Sequence, residues 1–165
     1  MIVEKFEPSE ECKILLRTII FNNKEQISKV KEGKSNLNQF KEAKIPEYNL
    51  NTSGIRTSYV LDSPLLENVK GLLGADEITN NTMYPKNSIM GWHTNSKTPG
   101  QRIYINFSKT PGIFRYKHPD TGEIIDDYDN ELWTGRKFII DPDRLLWHTI
   151  WAPEKRFAFG FNKKL

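Results

Sequence analysis

The chain predicts an α+β domain, mainly β, with its helices in the first half and its strands in the second. Three observations carry that expectation. Apolar residues recur at helical spacing over Cys12, Leu15, Leu16, Ile19 and Ile20. The ten Gly and nine Pro fall mostly after Ser53, where they punctuate short runs rather than long ones. From Glu77 onward those runs are β-branched and aromatic, which suits a pleated, half-buried surface. At 165 residues the chain is one domain in size, with residues 1–74 as supporting helices and loops and 75–165 as the β core.

In chain order, Ile2 to Phe6 alternates and predicts a first strand. Pro8 and Ser9 are helix-start residues, and the apolar stripe that follows predicts a helix continuing through Ile27 and Val30 to end near Gly33. Lys31 to Asn51 is rich in Lys and Asn with Pro46 as a breaker, so it predicts loop with at most a short helix. Gly54 to Leu61 predicts a strand. Ser63 and Pro64 then open a second helix that Gly71 to Gly74 closes. Strands follow at Glu77 to Tyr84, through the stretch around His93, and at Arg102 to Phe107, Ile113 to Tyr116, Lys137 to Ile140, Leu145 to Trp151 and Arg156 to Phe161, with a turn at Pro119 to Gly122.

Charge and cysteine content exclude several classes. The formal net charge of +3 is spread along the chain and forms no basic block, so no nucleic-acid partner is implied. The single Cys12 excludes an intramolecular disulfide and a zinc knuckle and suits a reducing compartment. MIVEKFEPSEE lacks the apolar core of a signal peptide, and no run approaches the roughly 18 apolar residues of a membrane span. The expectation is a soluble cytoplasmic protein without a membrane partner. Neither a phosphate-binding loop nor a dinucleotide fingerprint is present.

The chemistry concentrates in YPKNSIMGWHTNSKTPGQRIYIN, residues 84–106. His93 and Asn95 stand two apart, and strand geometry turns such residues to one face. The other histidine in a strand-like run is His148, in LLWHTIW. Two imidazoles and one oxygen ligand with open positions describe a facial Fe(II) site. Eight residues beyond His148, Arg156 opens RFAFGF, whose one face is Arg156, Ala158 and Gly160 and whose other is Phe157, Phe159 and Phe161. A cation beside two very small residues leaves volume for an anion, because a buried guanidinium is costly unless a carboxylate pairs with it. A salt bridge to a surface Asp or Glu is the structural alternative.

The ordered set Tyr84, His93, residue 95, His148 and Arg156 resembles the Fe(II)- and 2-oxoglutarate-dependent dioxygenases, specifically their compact prolyl-hydroxylase-like branch, over residues 84–161. The resemblance implies a double-stranded β-helix, a cupin-like jelly-roll of eight strands in two sheets with supporting amino-terminal helices. It puts His93 and His148, with residue 95, on the metal ligands and Arg156 on the group that pairs with the distal acid of 2-oxoglutarate. Tyr84 falls on a tyrosine that hydrogen-bonds this co-substrate. Tyr104 and Asn106, which share a strand face, are assigned to the same pocket. The implied activity is hydroxylation of a peptide side chain or small metabolite, consuming O2 and 2-oxoglutarate at Fe(II).

Asn95 departs from the pattern, which has Asp or Glu there, so the third ligand would be neutral. Three outcomes follow: the amide binds, a carboxylate such as Asp120, Asp126 or Asp127 swings in, or the fold is a non-catalytic jelly-roll binding module. A nucleic-acid demethylase is disfavoured, because that branch carries a second arginine where this chain has Asn162. His118 reads as a solvated turn residue. Trp92, Trp147 and Trp151 read as core, and Phe114, Arg115 and Tyr116 as an ordinary sheet face or the mouth of the site.

Overall fold

The computed structural model describes residues 1–45 and 59–165. The helical stripe forms α1 (Glu10–Asn22), with the Ser9 hydroxyl accepting from Cys12 N at its start. The predicted continuation to Gly33 does not hold. Asn23 interrupts the helix: its side chain donates to Ile19 O at 2.7 Å and its backbone N caps Ile20 O. A separate short α2 (Lys24–Ser28) follows. Asn36 and Gln39 form a capping box that starts α3 (Leu37–Glu42), a short helix in the polar stretch. The expected strand at 54–61 lies largely outside the described residues, of which Tyr59–Val60 forms β2. Pro46 lies outside them too. The second helix is α4 (Leu65–Leu73), closed by Gly74 in the left-handed region at φ 63°.

The strands β1 (Glu4–Phe6), β3 (Glu77–Tyr84), β4 (Ser88–His93), β5 (Gly100–Ser108), β6 (Ile113–Lys117), β7 (Ile124–Tyr128), β8 (Leu132–Ile140), β9 (His148–Ala152) and β10 (Arg156–Lys163) complete the fold. They form a six-stranded sheet in the order β1-β8-β5-β10-β3-β2 and a four-stranded sheet in the order β4-β9-β6-β7, antiparallel throughout. This is a jelly-roll. β7, IIDDY, is not among the strands the sequence predicts; Arg115 and Arg136 pair with its two carboxylates.

The alternation along β10 decides the layering. Phe157, Phe159 and Phe161 turn outward and pack with Leu16, Ile19, Leu66 and Val69 of the helices, joined by Ile103, Ile105 and Met83. The helices thereby cover one face of the larger sheet. Between the sheets a second cluster gathers Phe114, Phe138, Ile140, Leu146 and Ile150. A third seats Phe40 of α3 on Trp151, with Ile89 and Ile113. The tryptophans read as core include Trp92 and Trp151, both buried, and Trp92 Nε1 donates to Ala43 O. Arg156, Ala158 and Gly160 face the other way, into the space between the sheets.

Candidate metal and anion site

β4 and β9 are neighbours in the smaller sheet, and their register pairs His93 with His148 directly. Antiparallel pairing therefore brings together two residues 55 positions apart. The ring centroids are 4.2 Å apart at 58°. Each ring is held by its own backbone: His93 Nδ1 donates to Gly91 O at 2.6 Å and His148 Nδ1 to Leu146 O at 2.8 Å. With the proton fixed on Nδ1 in both, both Nε2 atoms carry lone pairs. Carbonyl-anchored imidazoles of this kind are pre-oriented ligands. Phe114 stacks on His148 at 5.3 Å and Phe138 meets it edge-on at 5.6 Å, so the His148 ring is clamped. Phe114 thus belongs to the wall of the site, whereas Arg115 turns away to pair with Asp126.

Burial lowers the pKa of both histidines, and the positive charge of Arg102 lowers both further. His148 is pushed well below the ordinary imidazole value, with His93 as its second cause. Both are neutral at pH 7, the form that binds metal.

Asn95 reaches the pair by a route that simple alternation did not anticipate. β4 ends at His93, and Asn95 lies beyond it in the left-handed region at φ 56°, with its carbonyl accepting from Thr98 N. Asn tolerates that conformation better than most residues. Its amide nitrogen is 3.2 Å from His148 Nε2. Two ligands bound side by side to one metal at about 2.1 Å each would be about 3.0 Å apart. The amide group is therefore at ligand spacing from the imidazole, and a flip of the amide presents its oxygen.

Among the described residues no three or more His, Cys, Asp or Glu come together to hold a metal. The carboxylates considered as substitutes are committed elsewhere: Asp120 to Arg144, Asp126 to Arg115, and Asp127 to Arg136 and Lys5. The donor set is thus two imidazole nitrogens and one neutral amide, which fits a divalent transition metal without neutralising it.

Behind the histidines lies a hollow of about 290 Å³, reached by Tyr84, Tyr104, Asn80, Thr82, Arg102 and Ala158. Small residues on β10 leave it open. Gly160 lies beneath the Tyr104 ring so closely that a Cβ would fall 2.6 Å from Tyr104 Cε1. Tyr84 accepts from Asn80 Nδ2 at 3.3 Å. Its pKa is pushed up to about 12, by burial first and by Tyr104 second, so it keeps its proton to donate. Asn106, expected in the pocket, is buried but donates to Phe157 O and does not line the hollow.

Arg156 occupies the expected strand, but its guanidinium is engaged by the protein itself. Nε and Nη2 donate to the two oxygens of Asp129 at 2.9 and 3.0 Å, leaving Nη1 without a partner among the described residues. Asp129 also accepts from Arg136 Nη1 at 2.7 Å and from Gly112 N at 2.9 Å. The carboxylate that burial of Arg156 demands is Asp129. The sequence reading missed Asp129, Arg136 and Arg102. Of these only Arg102 left a signal, since it stands two residues before Tyr104 and shares its strand face.

The overall fold matches a solved structure described as a prolyl hydroxylase in complex with a hypoxia inducible factor oxygen degradation domain peptide fragment from Trichoplax adhaerens. The match has a TM-score of 0.55 and 12% identity over 97% of this chain and 83% of that one. At that identity the likeness shows the fold alone, a jelly-roll. No protein-family model matches the sequence, and neither does any curated protein. Among the described residues no helix is long and apolar enough to cross a membrane.

Proposed function

We propose that the protein is a metal-dependent oxygenase that uses Fe(II) and 2-oxoglutarate to hydroxylate a peptide side chain or a small metabolite. The reading rests on one observation above others. Two carbonyl-anchored, neutral imidazoles and an amide at ligand spacing meet at the mouth of a polar hollow inside a jelly-roll. His93, His148 and Asn95 would hold the iron, which supplies O2 activation when bound. The hydroxyls of Tyr84 and Tyr104, both on the wall of the hollow, are donors for the co-substrate. The chain's own contribution is to keep both Nε2 atoms unprotonated, to orient the acid groups and to wall off the site with Phe114 and Phe138.

Anaerobic addition of Fe(II) and 2-oxoglutarate should produce their visible charge-transfer absorption, and admission of O2 should convert 2-oxoglutarate to succinate. Absence of both refutes the oxygenase reading. A second reading, a binding module on the same fold, is favoured by the neutral Asn95 and by the Asp129 grip on Arg156. Asn95→Asp separates the two: turnover that appears only in the variant identifies the natural protein as the binding module.

A further inference from the structure

Three arginines of the described chain are almost wholly removed from solvent: Arg102 at 3%, and Arg136 and Arg156 at 0% exposure. The fold treats them differently. Arg136 and Arg156 share Asp127 and Asp129, and every one of these ion pairs is closed within 3 Å. Arg102 has no such partner: among the described residues no carboxylate lies within ion-pair distance of its guanidinium. Its Nη2 donates to Thr98 O at 3.0 Å and its Nη1 reaches the Tyr104 hydroxyl at 3.4 Å. Its Nε is buried with no partner among the described residues.

A buried cation without a counter-charge costs several kcal/mol, which is why the other two are paired. Arg102 lines the hollow, and neither Asp nor Glu does. Thr79 Oγ1, also on the wall of the hollow, is a second buried polar atom without a partner. The register fixes which end of the hollow this is. Arg102 pairs with Asn162 at one end of β10 and Arg156 with Ser108 at the other, six residues and so roughly 20 Å along the strand. β9 runs from His148 towards the turn that leads into Arg156, so the histidines lie at the Arg102 end.

We propose that Arg102 is the anion-binding residue of the site and receives a carboxylate of the bound ligand beside the two histidines. This deepens the reading above and rests on it only for naming the co-substrate. The acid has two sources, the co-substrate itself or an acidic primary substrate, and recognition is the same in both: a charge-assisted hydrogen bond from Nε, supported by the hydroxyls of Tyr104 and Thr79.

The test compares wild type, Arg102→Gln and Arg102→Lys by calorimetric titration and thermal melting. In the first arm glutarate and 2-oxoglutarate are added to protein stripped of metal with a chelator. In the second, N-acetylglycine is added to protein saturated with Zn(II) and 2-oxoglutarate. Arg102→Gln is expected to weaken at least one of these by tenfold or more, with Arg102→Lys restoring part of the loss. A loss in the first arm assigns the acid to the co-substrate, and a loss confined to the second assigns it to the primary substrate. The ligand-free melting temperature of Arg102→Gln should equal or exceed that of wild type, because an uncompensated charge is removed. Equal affinities in wild type and Arg102→Gln, no binding of any probe by wild type, or a lower ligand-free melting temperature overturns the proposal. Carboxylate binding without metal does not depend on turnover, so the oxygenase reading can fail while this one stands, and the reverse.

Discussion

Replacing Asp129 by Asn is the sharpest probe of how the interior is held. Arg136, Arg156, Asp127 and Asp129 carry two positive and two negative charges, and the Asp129 side chain is only 2% exposed. Asp129 accepts four hydrogen bonds, three from guanidinium groups and one from Gly112 N. An amide there leaves a net buried positive charge and points an NH2 at a donor. Breaking a buried pair from one side costs about 3–5 kcal/mol. The lower end applies, because Asp127 still serves Arg136 and is itself 20% exposed. About 3 kcal/mol lowers Tm by roughly 6–12 °C in a chain of this size. Urea unfolding with an unchanged m-value is the assay.

The same substitution has a pH signature. Burial alone would raise the Asp129 pKa, but the charges and hydrogen bonds of Arg156, then Arg136, outweigh it and hold the carboxyl well below the usual range. The unfolded chain takes up its proton near 3.8 while the folded one stays ionised. The stabilisation is thus complete above that pH and is lost as the pH falls towards the depressed folded value. The gap between wild type and Asp129→Asn should be constant from pH 7 to 5 and shrink below pH 4. A cost under about 1 kcal/mol, or a gap that widens in acid, refutes the reasoning.

Other outcomes follow from the same geometry. His148→Ala should abolish binding of Zn(II) or Mn(II) at micromolar concentration, and Asn95→Asp should strengthen it at least tenfold by adding a charge to the donor set, both read by titration. Gly160→Ala puts a methyl group 2.6 Å from Tyr104 Cε1, so the ring must tip into the hollow; glutarate binding should fall more than stability does. Phe40→Ala empties a fully buried position on Trp151 and should cost about 3–5 kcal/mol by urea unfolding.

Residue pattern alone determined the α+β class and the faces of several elements, while the jelly-roll was implied by the resemblance. The apolar spacing in α1, the Pro and Gly bounds of α4 and the strict alternation of β10 are local properties, because backbone geometry converts period directly into faces. That is why the phenylalanine face and the small-residue face of β10 were legible, whereas the convergence of His93 and His148 rested on the resemblance, since no period joins residues 55 positions apart. Tertiary structure decided what no period encodes. Asn23 breaks a helix whose stripe runs on, because its side chain captures a carbonyl within the turn. Asn95 reaches the site through a left-handed turn rather than along a strand. Above all, the acid that pairs with Arg156 comes from Asp129, 27 residues away, while Arg102 is left with none among the described residues. Charge pairing in an interior depends on distances across sheets, and sequence separation carries no record of those.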